Sequence, residues 1–349
     1  MRYTCIDSFS GAGGLCLGLQ NAGFDIIFSF DIDKKCIDTI RRNHKYFKHP
    51  SMVSDVTDML NGKMLQLCNL KRGELFLLSG GPPCQGFSVQ RRGEDADERN
   101  ELVLKYGQLV REVYPFFFVM ENVSGITGKR GKKILNQLVE DMQDIGYTVH
   151  MKLIDAQDYG VPQRRKRIFL VGERKDIGSG YIFPEATFER KTVRDTIGFL
   201  PPPPENGKDH PDIPLHRRDK LSELNIRRLK ALKPGEGRDS LPYELLAECH
   251  RIDSSVIGHR NVYGRMAWDD VAPTITARFD SFTRGKFGHP EQLRSISLRE
   301  GAMLQTFPQD FMFVGSKVEV ARQIGNAVPP LLAERIGRSI IEYFESRGC

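Results

Sequence analysis

The chain has 349 residues, 40% hydrophobic and 28% charged, which fits one large domain or two unequal ones and excludes a disordered polymer. Lys and Arg outnumber Asp and Glu by 51 to 45, a net charge of +6 that permits a polyanionic partner without demanding one. No apolar run approaches the roughly 18–20 residues of a membrane span, and the opening Met1-Arg-Tyr-Thr-Cys-Ile6 leaves no room for a signal peptide, so the expected location is the cytoplasm, away from membranes.

Up to about residue 175, short apolar runs alternate with helical periodicity, as stacked βα units around a parallel sheet would. Strands are expected at 3–8, 25–31, 74–79, 116–121, 150–155 and 167–173. Helices are expected at 14–22, 34–44, 101–113 and 131–145, and Gly, Pro, Asp or Asn follows nearly every element. Beyond about residue 185 the pattern weakens: Pro201-Pro-Pro-Pro204 reads as a polyproline spacer, and 215–290 mixes Arg, His and scattered aromatics without a clear period. A helical pattern returns at Ser297-Leu-Arg-Glu-Gly301, and 334–344 is amphipathic. The expected organisation is a first α/β domain over 1–188, completed by 323–349, and a second, smaller irregular domain over 189–322.

Five segments could carry chemistry. Phe9-Ser-Gly-Ala-Gly-Gly14 follows a strand and opens a helix, where glycines let a ligand approach the backbone and the helix N-terminus favours an anion. Asp31 ends the next strand, where a ribose hydroxyl would need an acceptor, and Asp55 follows the third apolar segment. Together they suggest a nucleoside-containing cofactor of unspecified kind. Gly80-Gly-Pro-Pro-Cys-Gln-Gly-Phe-Ser88 places Cys84 in a stiff loop at the carboxyl edge of the sheet, where α/β folds bind ligands and where a preorganised thiolate could attack. The seven cysteines (5, 16, 36, 68, 84, 249 and 349) form no C-x-x-C pair, so neither a disulfide framework nor a structural zinc is expected.

Glu121, in Met120-Glu-Asn-Val123, ends the most apolar strand, so its carboxyl is expected in a poorly solvated position from which it could donate or share a proton. In Gln163-Arg-Arg-Lys-Arg167, alternation puts Gln163, Arg165 and Arg167 on one face and Arg164 and Lys166 on the other, able to hold a phosphate or a polar base edge. Gln323-Ile-Gly-Asn-Ala-Val-Pro-Pro330 reads in isolation as a structural turn feeding the last helix.

Taken in this order, and with Arg299-Glu-Gly-Ala-Met-Leu-Gln-Thr-Phe-Pro308, these segments resemble the DNA (cytosine-5) methyltransferases, in the compact form of the bacterial modification enzymes. The resemblance implies a doubly wound, mostly parallel Rossmann-like sheet with a target-recognition domain, and S-adenosylmethionine as cofactor with no metal. Phe9, Gly11 and Gly14 would then lie against the methionine and ribose portion, Asp31 would accept from the ribose, Asp55 and Val56 would meet the adenine, and Pro83 and Asn326 would close the methionine end. Cys84 would add to carbon 6 of a flipped-out cytosine, Glu121 would bond its N3 and exocyclic amine, and Arg165 would donate near O2. Ser88, Arg91, Arg92, Gln163, Arg167 and Arg278 would contact the DNA.

The partners so implied are double-stranded DNA and a cognate restriction endonuclease acting separately, with the enzyme itself a monomer. An RNA cytosine-5 methyltransferase on the same scaffold would keep every motif. A dinucleotide oxidoreductase would explain the glycine turn and Asp31 but not Cys84 with Glu121 and Arg165.

Overall fold

A computed structural model describes residues 2–83, 101–129, 131–187, 189–251 and 262–348. The chain divides into two compact units. The first comprises Met1–Tyr159, Lys166–Thr187 and Ala327–Cys349, and the second comprises Gly160–Arg165 and Phe188–Asn326. The second unit therefore begins with a short segment ahead of the expected boundary and runs four residues past 322, through Asn326.

The first unit is built on strands β1 (Thr4–Ser8), β2 (Asp25–Asp31), β3 (Ser51–Val53), β4 (Leu77–Gly80), β5 (Phe117–Val123), β6 (Tyr147–Asp155) and β7 (Lys166–Arg174). They form one sheet in the order β3-β2-β1-β4-β5-β7-β6. The pairs from β3 to β5 are parallel, whereas β7 runs antiparallel to both β5 and β6. The sheet is thus mostly parallel: β6 runs in the same sense as β1 to β5, and only the expectation that β7 continues the parallel βα series is corrected. A parallel neighbour needs a crossover of a dozen or more residues, usually a helix. Between Asp155 and Lys166 lie only a short 3₁₀ turn and a loop, so the chain reverses instead.

Helices α1 (Gly14–Ala22), α2 (Lys34–Arg42), α3 (Lys63–Cys68), α4 (Glu101–Val113), α5 (Lys132–Asp144) and, at the end of the chain, Pro330–Ser346 complete the unit. Strand alternation explains the two helical layers. Phe117 and Phe118 are both fully buried, yet Phe117 meets Phe344 of the terminal helix at 6.4 Å, while Phe118 meets Tyr106 of α4 at 6.3 Å. Each such ring removed from water contributes about 1.5–3 kcal/mol. The terminal helix packs on α1 so closely that a Cβ at Gly18 would collide with Pro330 O and Ala333.

Among its described residues the second unit holds short helices: α6 (Val193–Ile197), α7 (Glu223–Ala231), α8 (Leu298–Leu304) and α9 (Lys317–Asn326). The terminal helix is therefore α10. Gln323-Ile-Gly-Asn326 is the last turn of α9 rather than a free turn, and α10 starts at Pro330, an N1 position where a missing N–H costs nothing. Among the described residues this unit has isolated β-bridges but no strand.

Irregular backbone leaves carbonyls unpaired, and buried arginines satisfy them here. Arg265 donates to the carbonyls of Leu229, His289 and Gln292, and Arg299 to those of Pro214, Pro308 and Phe311. Arg294 forms a two-pronged pair with Glu300 at 2.6 and 2.7 Å, and Glu300 also closes the capping box of α8 with Ser297. In this unit, much of the positive charge is structural cement.

Candidate active site

In the first unit, β1 gives way at Phe9 to a turn in which Phe9, Gly11 and Gly13 have φ of 52°, 51° and 87°. A left-handed aromatic is costly and survives only where its surroundings over-determine it. Ser10 supplies that restraint, since its N–H and Oγ both donate to Phe30 O of β2, at 3.1 and 3.2 Å. The next residue completes the link: Gly11 N donates to Asp31 Oδ2 at 2.8 Å, and Asp33 N donates to Asp31 Oδ1 at 2.8 Å.

Phe9, Gly11 and Asp31 are thereby brought together, with Gly14 buried as the first residue of α1. Among the described residues, a Cβ on Gly11 would meet nothing within 4 Å, so this side of the turn is open. An open glycine turn, a helix N-terminus behind it and a carboxylate oriented by backbone N–H groups suit a nucleoside cofactor. Asp55 accepts from Thr57 N at 2.8 Å and caps a short 3₁₀ turn. Val56, expected against adenine, is 2% exposed, with its side chain packed in the core.

At the same sheet edge, Glu121 and Asn122 lie near the end of β5, both buried. Asn122 Nδ2 donates to Pro82 O at 3.0 Å, and its Oδ1 accepts from Val123 N at 2.8 Å. A Cβ on Gly81 would stand 3.7 Å from Glu121 Oε2. The segment Gly81–Pro83 is thus pinned beside Glu121 just before it reaches Cys84. Asn122 was visible only as part of a motif; its tie to Pro82 is a tertiary fact. Cys84, Ser88, Arg91 and Arg92 lie outside the described residues.

Of the described cysteines, Cys5 and Cys16 are fully buried, and burial followed by the nearby Asp7 charge pushes both thiols well up. Burial raises Cys68 to about 11. These are poor thiolates.

The basic motif keeps its expected alternation, with Gln163 and Arg165 buried, Arg167 partly buried, and Arg164 and Lys166 exposed. The roles are redistributed, however. Arg165, expected as a donor to the base, is 1% exposed, and its guanidinium donates to Ile275 O at 3.1 Å and Gly325 O at 3.0 Å, all within the second unit. Gln163, expected against DNA, is fully buried and bonded to Leu304 O, Gln305 and Ile275 N.

Arg167, in the first unit, points its Nε at Glu121 Oε1 across 2.9 Å, with the two side chains 16% and 11% exposed. It is an ion-pair partner of the acid rather than a free phosphate contact. In the second unit Asn326 is exposed at the end of α9, and Arg278 is half exposed beside Asp280.

A family model for C-5 cytosine-specific DNA methylases matches residues 3–342. The Type II methylase M.HgiDII of Herpetosiphon aurantiacus is 35% identical over 97% of this chain and 95% of its own length. The Type II methyltransferase M1.HphI of Haemophilus parahaemolyticus is also 35% identical, over 98% of this chain and 87% of its own. A solved E. coli protein provisionally described as a prophage-encoded DNA modification methyltransferase superposes with a TM-score of 0.75 at 26% identity, covering 99% of this chain and 100% of that one. The glycine turn, the strand-end acid and the proline segment leading to Cys84 therefore stand in a chain that belongs to the C-5 cytosine-specific DNA methylase family, a DNA (cytosine-5) methyltransferase.

Proposed function

We propose that this enzyme methylates carbon 5 of one cytosine within a specific duplex DNA sequence, as the modification partner of a separately acting restriction endonuclease. The observation that carries the reading is Glu121, ion-paired with Arg167 and set beside the Gly81–Pro83 segment that runs directly into Cys84. Carbon 6 of a stacked cytosine is shielded, so the base must leave the duplex at a cost of a few kcal/mol, as the handling of bases by methyltransferases generally requires.

The family takes its methyl group from S-adenosylmethionine, whose sulfonium supplies it in electrophilic form. Phe9, Gly11, Gly14 and Asp31 would hold that cofactor, with Asp55 and Pro83 contributing further contacts. Cys84 forms a bond from Sγ to carbon 6, and the carbon 5–carbon 6 π electrons move to carbon 5, the methyl acceptor. Glu121 meets N3 and the exocyclic amine, where it offsets charge pushed onto the ring. After methylation, loss of the carbon 5 proton restores the double bond and expels Cys84 as thiolate. Arg167 orients Glu121 and takes the role of cationic donor near O2 that the motif alone assigned to Arg165.

We assign target reading to the second unit, with Arg278 among its contacts, and further DNA contacts to Ser88, Arg91 and Arg92. The enzyme works as a monomer on cytoplasmic DNA. Bisulfite sequencing of DNA from cells expressing the chain should show one short motif protected at a single cytosine. Unprotected DNA, with methyl groups found on RNA instead, would reject the DNA reading.

The two arginines should separate cleanly. Arg167→Ala is expected to lower kcat by roughly 10²–10³-fold, the usual cost of one preorganised donor, with little change in Tm. Arg165→Ala leaves the Ile275 and Gly325 carbonyls without their donor at about 1–3 kcal/mol each, so its Tm should fall by several degrees. Thermal melts alongside single-turnover rates check both, and a fully active Arg167→Ala would remove Arg167 from the site.

A further inference from the structure

Asp7, one residue before the end of β1, is fully buried, and among the described residues no Lys, Arg or His pairs with it. An isolated carboxylate is an expensive thing to bury. Its oxygens instead accept from two neighbours on different elements: Ser79 Oγ of β4 at 2.6 Å and Cys16 Sγ of α1 at 3.0 Å. Ser8 Oγ reinforces the same junction by donating to Ser79 O at 2.8 Å. Asp7 therefore links the helix behind the glycine turn to the strand that continues through Gly80, Gly81, Pro82 and Pro83 toward Cys84.

We propose that Asp7 is a positioning residue for cofactor capture: its buried carboxylate, with no cation paired to it among the described residues, ties α1 to β4 and, when ionised, draws the cationic cofactor into the glycine turn. The inference rests on the cofactor reading above. S-Adenosylmethionine carries a positive sulfonium, and a carboxylate with no cation paired to it among the described residues is available to balance it. Protonation would do two things at once. It would remove the negative charge, and it would convert one acceptor oxygen into a donor, so that Ser79 or Cys16 loses its acceptor.

The groups facing Asp7 are Cys5 on its own strand, Cys16 on α1, Ser79 on β4, Asp31 on β2 and Tyr106 on α4. The Cys5, Cys16 and Tyr106 groups are all pushed well up, so they stay neutral. Burial raises Asp7 to about 6, with the Ser79 and Cys16 hydrogen bonds opposing the shift and the Asp31 charge adding to it. A cation that binds only the ionised form then binds fully above that pH and less well below it, by up to tenfold per pH unit for a single proton.

Isothermal titration of the full chain with S-adenosylmethionine from pH 5 to 8, with circular dichroism confirming the fold at each pH, tests this. Wild type should show a constant Kd above about pH 6 and a Kd rising toward acid below it. Asp7→Asn, which cannot ionise, should bind at least tenfold more weakly at pH 8 with no acid limb. Cys16→Ala removes a donor that favours the carboxylate and should shift the limb up by about half a pH unit, whereas Cys16→Ser restores the donor and the original limb. A role in packing alone would weaken binding without moving the limb.

A limb that persists in Asp7→Asn, or that is the same in Cys16→Ala as in wild type, overturns the inference. The Cys16 pair decides the matter if Asp7→Asn does not fold. Wild-type binding with no acid limb sinks the inference alone; no binding at pH 8 sinks the cofactor reading, and the inference with it.

Discussion

Cys84→Ser is expected to bind S-adenosylmethionine and duplex DNA as wild type does and to lose methyl transfer by roughly three orders of magnitude or more. The reason is ionisation: a thiol is already a few per cent thiolate near neutrality, while a serine hydroxyl is scarcely ionised. The effect should fall on kcat rather than on binding, because the thiol contributes little to either ligand before the bond forms. Cys36→Ser and Cys68→Ser set the baseline. Neither side chain is part of the site, and the Cys68 thiol, raised to about 11 by burial, is no rival nucleophile. Single-turnover transfer of a labelled methyl group, measured beside Kd values, separates the cases. Near-normal turnover in Cys84→Ser would take Cys84 out of the reaction.

How far such chemistry could be read from the sequence differs between the two units. In the first, apolar runs bounded by Gly, Pro and Asp mark buried strands, so β1 and β2 lie within a residue of expectation. The reversed direction of β7 was not legible, because an apolar strand has the same composition whichever way it runs. Orientation is decided by the connection, and the 156–165 loop is too short for a helical crossover. The 3-residue β3 and 6-residue α3 were missed for a related reason: neither is long enough to establish a period.

In the second unit, charge misled. Arginine in a sequence reads as solvated, yet Arg265 and Arg299 are buried against backbone carbonyls and Arg294 against Glu300, in a unit that has no strand among its described residues. Gln323-Ile-Gly-Asn326 looked like a turn because of its glycine, but Gly325 sits inside α9 where the helix approaches the Thr276 backbone too closely for any Cβ.

The basic motif shows the limit most directly. Period-two alternation placed Gln163, Arg165 and Arg167 on one face, and burial alternates along the segment in the same way. What alternation could not say is which arginine along that face meets a carboxylate and which meets carbonyls. Arg165 precedes β7 and belongs to the second unit, while Arg167 lies in β7, where its backbone register opposite Val123 brings it beside Glu121.

The same ion pair shapes the result expected from a mechanism-based trap. Duplex DNA carrying 5-fluorocytosine at the target, incubated with enzyme and S-adenosylmethionine, should yield a covalent protein–DNA complex that survives denaturing electrophoresis. Cys84 can still add at carbon 6, since fluorine does not block that position, and methylation still saturates carbon 5. Release then requires loss of a proton from carbon 5, and fluorine cannot depart as a cation in its place. The adduct has no exit. The band should require the cofactor and should vanish in Cys84→Ser. It should form slowly in Glu121→Gln, which keeps the shape but can neither share a proton with N3 nor pair as an ion with Arg167. Arg167→Ala should slow the band to a similar degree, because it removes the cation that orients the acid, whereas Arg165→Ala should form it at the wild-type rate in whatever fraction remains folded. An enzyme that methylates ordinary cytosine yet leaves fluorocytosine DNA unattached would rule out thiolate addition at carbon 6, and the roles of Glu121 and Arg167 in supporting that addition would fall with it.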